Sequence, residues 1–288
     1  MPKKNIIWLA SYPKSGNTWF RVFLTNLIYE SDKPANINDL AETSISSSRK
    51  IFDEYTGLSS SDLTFEEIDR MRPDVYRMQS EESNELLFKK AHDKSCWVDE
   101  NQALFPSEIS KGVIYFIRNP LDVLVSFAYH SGKPVSKMID SINNSDYAFC
   151  DKNDRLQNQL RQLLGSWSDH VKSWTEQTEI PIHVMRYEDM ISNSFKFFKV
   201  AVDFIGLEKS EEQIKIAIKK SDFSVLSDQE NEDGFKEKMI KSKSFFRKGQ
   251  VGDWENHLTE QEAGEIVKNH KDTMLKFGYL DCNNKIVY

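Results

Sequence analysis

The sequence predicts an α/β protein with a central parallel β-sheet, and three observations carry that prediction. Residues 5–11 (NIIWLAS) hold an apolar run, Ile6, Ile7, Trp8, Leu9 and Ala10, of the length of a buried parallel strand. Residues 111–118 (KGVIYFIR) hold a second run, unbroken from Val113 to Ile117, which suits a central strand covered on both faces. Helical periodicity follows each. Phe20, Phe23, Leu24, Leu27 and Ile28 share one face after the first run, and residues 121–129 read as helix after the second.

The connection after the first strand is Tyr12-Pro13-Lys14-Ser15-Gly16-Asn17-Thr18, a turn with one glycine, one lysine and several hydroxyls. Strand, tight loop and helix N-terminus together make an anion site, because free backbone N–H groups and the positive end of the helix dipole point at one spot. A triphosphate loop reads GxxxxGK[ST]. Aligned on Gly16, this chain has Ser11 in place of the first glycine and Asn17 in place of the lysine, with Lys14 moved forward. A loop without that lysine lacks the group that reaches a β- or γ-phosphate. Lys14 instead approaches a single 5′-phosphate and its bridging oxygen from the other side.

Composition limits the partners. The chain has 288 residues, 39% hydrophobic and 29% charged, which is ordinary for a soluble globular enzyme of one large or two small domains. No internal repeat or linker is visible, so a single domain over residues 1–288 is expected. With a formal net charge of −7, broad attraction to nucleic acid or to an anionic membrane is not expected, and any anion site must be local. Cys96, Cys150 and Cys282 are odd in number and widely spaced, fitting neither a disulfide framework nor a zinc site and pointing to a reducing compartment. The N-terminal apolar run is too brief for a signal sequence, and no stretch approaches the ~18 apolar residues of a membrane span. A cytoplasmic location is expected.

The remaining segments follow in order. Residues 29–70 are rich in Ser, Asp, Asn and Glu and read as loops with short helices covering a site, or as plain disordered surface, with a helix start at Ser61 or Asp62 leading to Met71. Residues 85–97 (ELLFKKAHDKSCW) read as a strand ending in Lys-x-His, which presents Lys90 and His92 on one face. A lone histidine is often structural. A cation beside it lowers its pKa and keeps the imidazole neutral, the form a general base needs. Arg118 ends the second long strand, with Asn119 and Pro120 as helix N-cap and first helical residue. Ligands of open α/β sheets sit beyond the strand ends, so Arg118 is placed to grip an anion, with Ser126 two turns on; the alternative is a structural ion pair with Asp122 or another carboxylate.

Residues 131–154 look irregular, and residues 156–174 look helical, with Leu160, Leu163, Leu164, Trp167, Val171 and Trp174 as the apolar stripe. Residues 181–186 form a short strand with His183 packed in the core. Residues 195–206 and 210–220 are helices, the second opened by Ser210 with Gln213 three residues on. Residues 221–224 read as a turn, and 228–244 as either a loop over the site or a solvated helix. Arg247-Lys248-Gly249 then supplies two cations and a flexible residue that lets backbone approach an anion. A last helix covers residues 259–277. Two anion pockets and a base, without a cluster of metal-ligand carboxylates, suggest a nucleotide bearing two separated phosphates.

YPKSGNTW (12–19), KAH (90–92), IRNPLDVLVSFAYH (117–130), YEDM (187–190) and FRKGQVGDWENHLT (246–259), in this order and spacing, resemble the motif set of the cytosolic sulfotransferases. The resemblance covers essentially the whole chain. It implies a P-loop-type three-layer α/β fold, a central parallel sheet flanked by helices with substrate-covering loops inserted. It also implies 3′-phosphoadenosine 5′-phosphosulfate as sulfuryl donor, with adenosine 3′,5′-bisphosphate as product. By the same resemblance Lys14, Ser15, Gly16, Asn17, Thr18 and Trp19 hold the 5′-phosphosulfate. Arg118, Ser126, Arg247, Lys248 and Gly249 hold the 3′-phosphate, Tyr187 and Phe223 contact the adenosine, and His92 takes the proton of the acceptor hydroxyl.

The physics agrees. Sulfuryl transfer, like phosphoryl transfer, is expected to pass through a loose in-line state in which charge builds on the leaving phosphate. Lys14 and Lys90 supply cations there, and a metal is dispensable because the transferred group carries less charge than a phosphoryl group. Two departures from the family pattern stand out. Asn17 replaces a threonine but keeps hydrogen-bonding capacity. The dimer motif KxxxTVxxxE expected beside Trp254 has Glu255, Thr259, Glu260 and Gly264 at its positions, so the chain is expected to be a monomer or a dimer that does not use that motif. The expected acceptor is a small hydroxylated organic molecule, or less favourably an amine, its pocket built from residues 30–85, 130–155 and 228–246. The competing expectations are a kinase using ATP and a catalytically silent nucleotide-binding module.

Overall fold

β1 (Ile6–Ser11) is buried along its whole length, as its unbroken apolar run demands. β2 (Leu87–Ala91) pairs with it in parallel, with Ile6 opposite Leu87 and Leu9 opposite Lys90. With β3 (Ser110–Ile117) and β6 (Ile182–Arg186) they form a central parallel sheet of order β2-β1-β3-β6. The two short strands β4 (Ala148–Phe149) and β5 (Gln162–Leu163) pair antiparallel in a sheet of their own. The computed structural model describes residues 3–40, 43–152, 154–240 and 242–288. Met1, Pro2, Ala41, Glu42, Asn153 and Lys241, which fall in the N-terminal, 29–70, 131–154 and 228–244 segments read above, lie outside the described residues.

The chain divides into two compact units, each assembled from three stretches. The first holds Met1–Tyr12, Glu42–Tyr115 and Ser145–Val184; the second holds Pro13–Ala41, Phe116–Asn144 and Met185–Tyr288. The first unit carries most of the four-stranded sheet, with α2 (Arg49–Thr56), α3 (Phe65–Glu82) and α6 (Trp167–Thr175). Phe52 of α2, Ile68 and Val75 of α3, and Leu160 form one of its buried apolar clusters. Along the outer side of β2, residues 44–46 run parallel: Lys90 N–H donates to the Ser44 carbonyl (2.9 Å), and Ser46 N–H donates to the Lys90 carbonyl (2.8 Å).

The second unit holds the remaining helices: α1 (Asn17–Tyr29), α4 (Pro120–Ser131), α5 (Val135–Asn143), α7 (Tyr187–Ser192), α8 (Ser194–Ile205), α9 (Glu211–Lys220), α10 (Phe223–Asp233) and α11 (Glu260–Lys276). Asn119 caps α4 as expected, its side chain accepting from Leu121 N–H, and Ser210 and Gln213 form the expected capping box of α9. Thr259 and Glu262 do the same for α11. No helix among the described residues is long and apolar enough to cross a membrane.

Several local expectations need correction. Residues 156–165 are not helical. The left-handed backbone of Gly165 (φ 68°) interrupts the period, and the Ser166–Asp169 capping box starts α6 only at Trp167. Residues 131–154 are not simply irregular, since they contain α5 and β4. The helix expected to start at Ser61 or Asp62 starts after Thr64, whose side chain and that of Glu67 satisfy each other's backbone N–H groups. It runs past Met71 to Glu82 with Pro73 inside it. The 221–224 turn is instead the start of α10, with Asp222 as cap, and His183 is only half-buried.

Candidate functional site

In the second unit the loop after β1 is held in a conformation few sequences tolerate. Lys14 is left-handed at φ 72°, and Gly16 sits at φ 98°, where a Cβ would come within 2.8 Å of the Tyr187 ring. Only glycine fits there. Asn17 and Thr18 open α1 as buried residues, and no side chain caps that helix start. Ser15 is fully buried, and its Oγ finds no hydrogen-bond partner among the described residues; the same holds for Trp19 Nε1 and Arg118 Nε. Buried polar atoms without partners are costly, and these three, from the loop, the first turn of α1 and the end of β3, mark a place shaped for a polar ligand.

Arg118 lies just past β3 with its guanidinium 4.2 Å from the Tyr187 ring centroid. It donates to the main-chain oxygens of Lys14 (3.3 Å) and Gln250 (2.8 Å), and its pair with Asp122 is longer, at 3.5 Å. The Asp122 carboxylate has another task. Its two oxygens accept from the N–H groups of Gly252 (2.9 Å) and Trp254 (3.1 Å), which fixes the Gly252-Asp253-Trp254 turn. Ser126 is half-buried on α4, four residues beyond Asp122.

That turn presents Asp253 to both cations of the Arg247-Lys248-Gly249 segment. Lys248 Nζ is 2.6 Å from Asp253 Oδ1, Arg247 pairs with Oδ2, and His257 Nε2 lies 3.1 Å from Oδ2. Burial alone would raise the Asp253 carboxyl, but bonds from Lys248 and Arg247 more than offset it and hold the pKa down at about 2. Gly249 is left-handed at φ 62°, and a Cβ there would stand 2.6 Å from the Phe223 ring. Phe223 is thereby tied to the cation segment. Lys14 Nζ rests 3.6 Å from the centroid of Phe245, two residues before Arg247.

The acid–base candidates Lys90 and His92 belong to the first unit. Lys90 is buried on β2, and His92 follows the strand end, half-buried. His92 Nδ1 stands 2.9 Å from the Ser11 carbonyl, which can only accept, so Nδ1 carries a proton, and in the neutral form of the ring the lone pair is on Nε2. The backbone there is fixed from both sides. His170 Nε2 donates to the His92 carbonyl (3.1 Å), and Tyr115 Oη–H donates to His170 Nδ1 (2.8 Å). Burial drives the His170 pKa down to about 3, so that imidazole is neutral. The next residue, Asp93, accepts two bonds from Arg72 (2.9 and 2.7 Å), and Trp174 Nε1 donates to its carbonyl (3.0 Å). The neighbouring Lys89, buried on β2, has a pKa lowered by desolvation to about 8.

The structure thus gathers Lys14 to Trp19, Arg118, Tyr187, Phe223 and Arg247 to Gly249 in one unit, and Lys90 with His92 in the other. Sequence reading missed Phe245, His170 and the Arg72–Asp93 pair, and it did not foresee that Asp253 clamps the two cations or that Asp122 holds the 252–254 turn. An SFFRKG run with a GDW turn three residues past its glycine was the available signal for Phe245 and Asp253. Among the described residues no group of three His, Cys, Asp or Glu side chains converges as metal ligands do.

The sulfotransferase-domain family model matches residues 4–278. The chain belongs to that family. It is 31% identical over 185 residues to sulfotransferase 2A1 of Rattus norvegicus, a match covering 62% of this chain and 61% of the rat protein's length. It is 26% identical over 274 residues to flavonol 4′-sulfotransferase of Flaveria chlorifolia, covering 91% and 77% of the two chains. Two solved structures share the fold. Mouse sulfotransferase SULT7A1 complexed with PAP has a TM-score of 0.58 at 19% identity, covering 95% of this chain and 86% of that one. Retinol dehydratase in a complex with retinol and PAP has 0.62 at 18%, covering 95% and 82%. The fold of this sulfotransferase-family chain is therefore the P-loop-type α/β architecture expected from sequence.

Proposed function

We propose that the protein is a sulfotransferase that moves a sulfuryl group from 3′-phosphoadenosine 5′-phosphosulfate to a hydroxyl of a small organic molecule. The observation that carries the reading is the cradle around Ser15 and Gly16. A fully buried hydroxyl, an indole N–H and an arginine Nε lack partners among the described residues, beside a glycine too crowded for any side chain. Those groups fit an anionic nucleotide, and relatives named sulfotransferases, with related folds complexed with PAP, agree.

In this reading the donor, when bound, supplies an activated sulfuryl group; the chain supplies position and charge. Lys14 and the backbone of Ser15 to Trp19 hold the 5′ side, and Lys14 together with Lys90 offsets the negative charge that builds on the leaving phosphate. Arg118, Ser126, Arg247, Lys248 and Gly249 hold the 3′-phosphate, and Tyr187 and Phe223 offer ring faces to the adenosine. His92, with its proton fixed on Nδ1 by the Ser11 carbonyl, receives the acceptor proton on Nε2. Hydroxylated acceptors of steroid or flavonol size are the class suggested by the names of the relatives. The protein works in the cytoplasm as a monomer, or as a dimer that does not use the 254–264 segment, without nucleic acid, membrane or metal partner.

Calorimetric titration with adenosine 3′,5′-bisphosphate in metal-free buffer tests the donor. Wild type is expected to bind and an Arg247→Ala, Lys248→Ala variant to lose binding. Binding only with ATP and Mg²⁺ would replace this reading with the kinase, and nucleotide binding without turnover on any hydroxylated acceptor would replace it with the silent module.

A further inference from the structure

Residues 279–288 lie just beyond the segment matched by the family model. They fold back as a small hairpin. Leu280 and Ile286 form an antiparallel bridge, Val287 N–H donates to the Tyr279 carbonyl (3.1 Å), and Asp281 closes the turn by accepting from Lys285 N–H (2.8 Å). Tyr279 is fully buried.

The hairpin is bonded to the sequence neighbours of Arg118 and Tyr187 and of Asp253, which holds Arg247 and Lys248. Asn119 follows Arg118, and its Nδ2 donates to the main-chain oxygen of Tyr288 (2.7 Å). Trp254 follows Asp253, and its Nε1 donates to the same oxygen (2.9 Å). Glu188 follows Tyr187; it accepts from Tyr279 Oη–H (3.0 Å) and from Asn119 N–H (3.0 Å). Arg186, which precedes Tyr187, has its guanidinium 5.0 Å from the Tyr279 ring centroid and 4.8 Å from that of Tyr288. One main-chain oxygen therefore joins the start of α4 to the Gly252-Asp253-Trp254 turn, and one phenol joins both to α7.

We infer that the 279–288 hairpin is a positioning element of the nucleotide site, setting the spacing between Arg118, Tyr187 and the Asp253 clamp on Arg247 and Lys248. The inference rests on the proposed nucleotide-binding reading. Preorganised anion sites lose affinity steeply when their groups drift, because binding then has to order them. None of the hairpin residues needs to touch nucleotide for this to hold.

The test uses the full chain with two substitutions that each remove one donor to Tyr288. Trp254→Phe keeps an aromatic ring, and Asn119→Ser keeps a helix cap. Adenosine 3′,5′-bisphosphate affinity is measured by calorimetry well below each variant's own melting temperature, and Asn283→Ala on the exposed turn serves as control. The expected result is a Kd about tenfold weaker for the double variant, a smaller weakening for each single one, and a control equal to wild type, as loss of preorganisation predicts. Unchanged affinity in the two single variants overturns the inference even if the double variant fails to fold. A weakening that vanishes once affinity is referred to the folded fraction overturns it as well. Failure of wild type to bind the bisphosphate is a different outcome, and it removes the nucleotide reading underneath.

Discussion

Lys14 Nζ lies 3.6 Å from the centroid of the Phe245 ring, and that contact holds the lysine side chain in one direction before any ligand arrives. Immobilising a long side chain in advance spares about 0.5–1.5 kcal/mol on binding. Phe245→Leu is therefore expected to weaken adenosine 3′,5′-bisphosphate binding about threefold to tenfold by calorimetry, while Phe246→Leu, one residue on, changes stability more than affinity. Tighter binding in the Phe245 variant would show that the ring competes with the ligand for the lysine.

His92→Ala separates chemistry from binding. With the general base removed, turnover is expected to fall ~10²–10⁴-fold while bisphosphate affinity stays at the wild-type value. A steady-state assay paired with calorimetry reads both quantities. If affinity falls together with turnover, His92 serves the nucleotide and not the acceptor.

His170 supplies a pH dependence of stability. Its folded pKa is near 3 against 6.5 for the free group, because burial disfavours the charged ring. Between those values the unfolded chain binds the extra proton, so this group's contribution is complete above pH 6.5 and drains away as pH falls toward 3. Urea denaturation between pH 6.5 and 4 should give a flatter stability profile for His170→Asn than for wild type. Parallel profiles would mean that His170 is not the group titrating.

The Arg72–Asp93 pair is buried on both sides, with side chains 1% and 0% exposed. Removing one partner strands a charge in the interior. Asp93→Asn is expected to cost about 3–5 kcal/mol in urea denaturation, the range for breaking a buried ion pair. Because Asp93 follows His92 directly, a residual folded population should also lose turnover.

What could be read in advance was local. The Lys14 loop, Arg118 at a strand end and the Arg247-Lys248-Gly249 run announce themselves through short-range pattern: an apolar run, a change of period, a glycine beside cations. Residues 156–165 failed for the same reason. Leu160, Leu163 and Leu164 satisfy a helical spacing that the left-handed Gly165 and the Ser166 cap then deny. Asp122, Asp253 and Phe245 gain their meaning from partners far along the chain or from a turn that had to form first, and a lone His170 inside an apolar stripe carries no sign of its bond to the His92 carbonyl.

The strip of residues 44–46 along β2 has a consequence for self-association. An end strand with open main-chain groups is a template on which a second chain can add. Here Ser44 and Ser46 already take the Lys90 N–H and carbonyl on that side. A second chain adding at Lys90 would have to displace this strip first, so the edge is closed at that residue by the chain's own backbone.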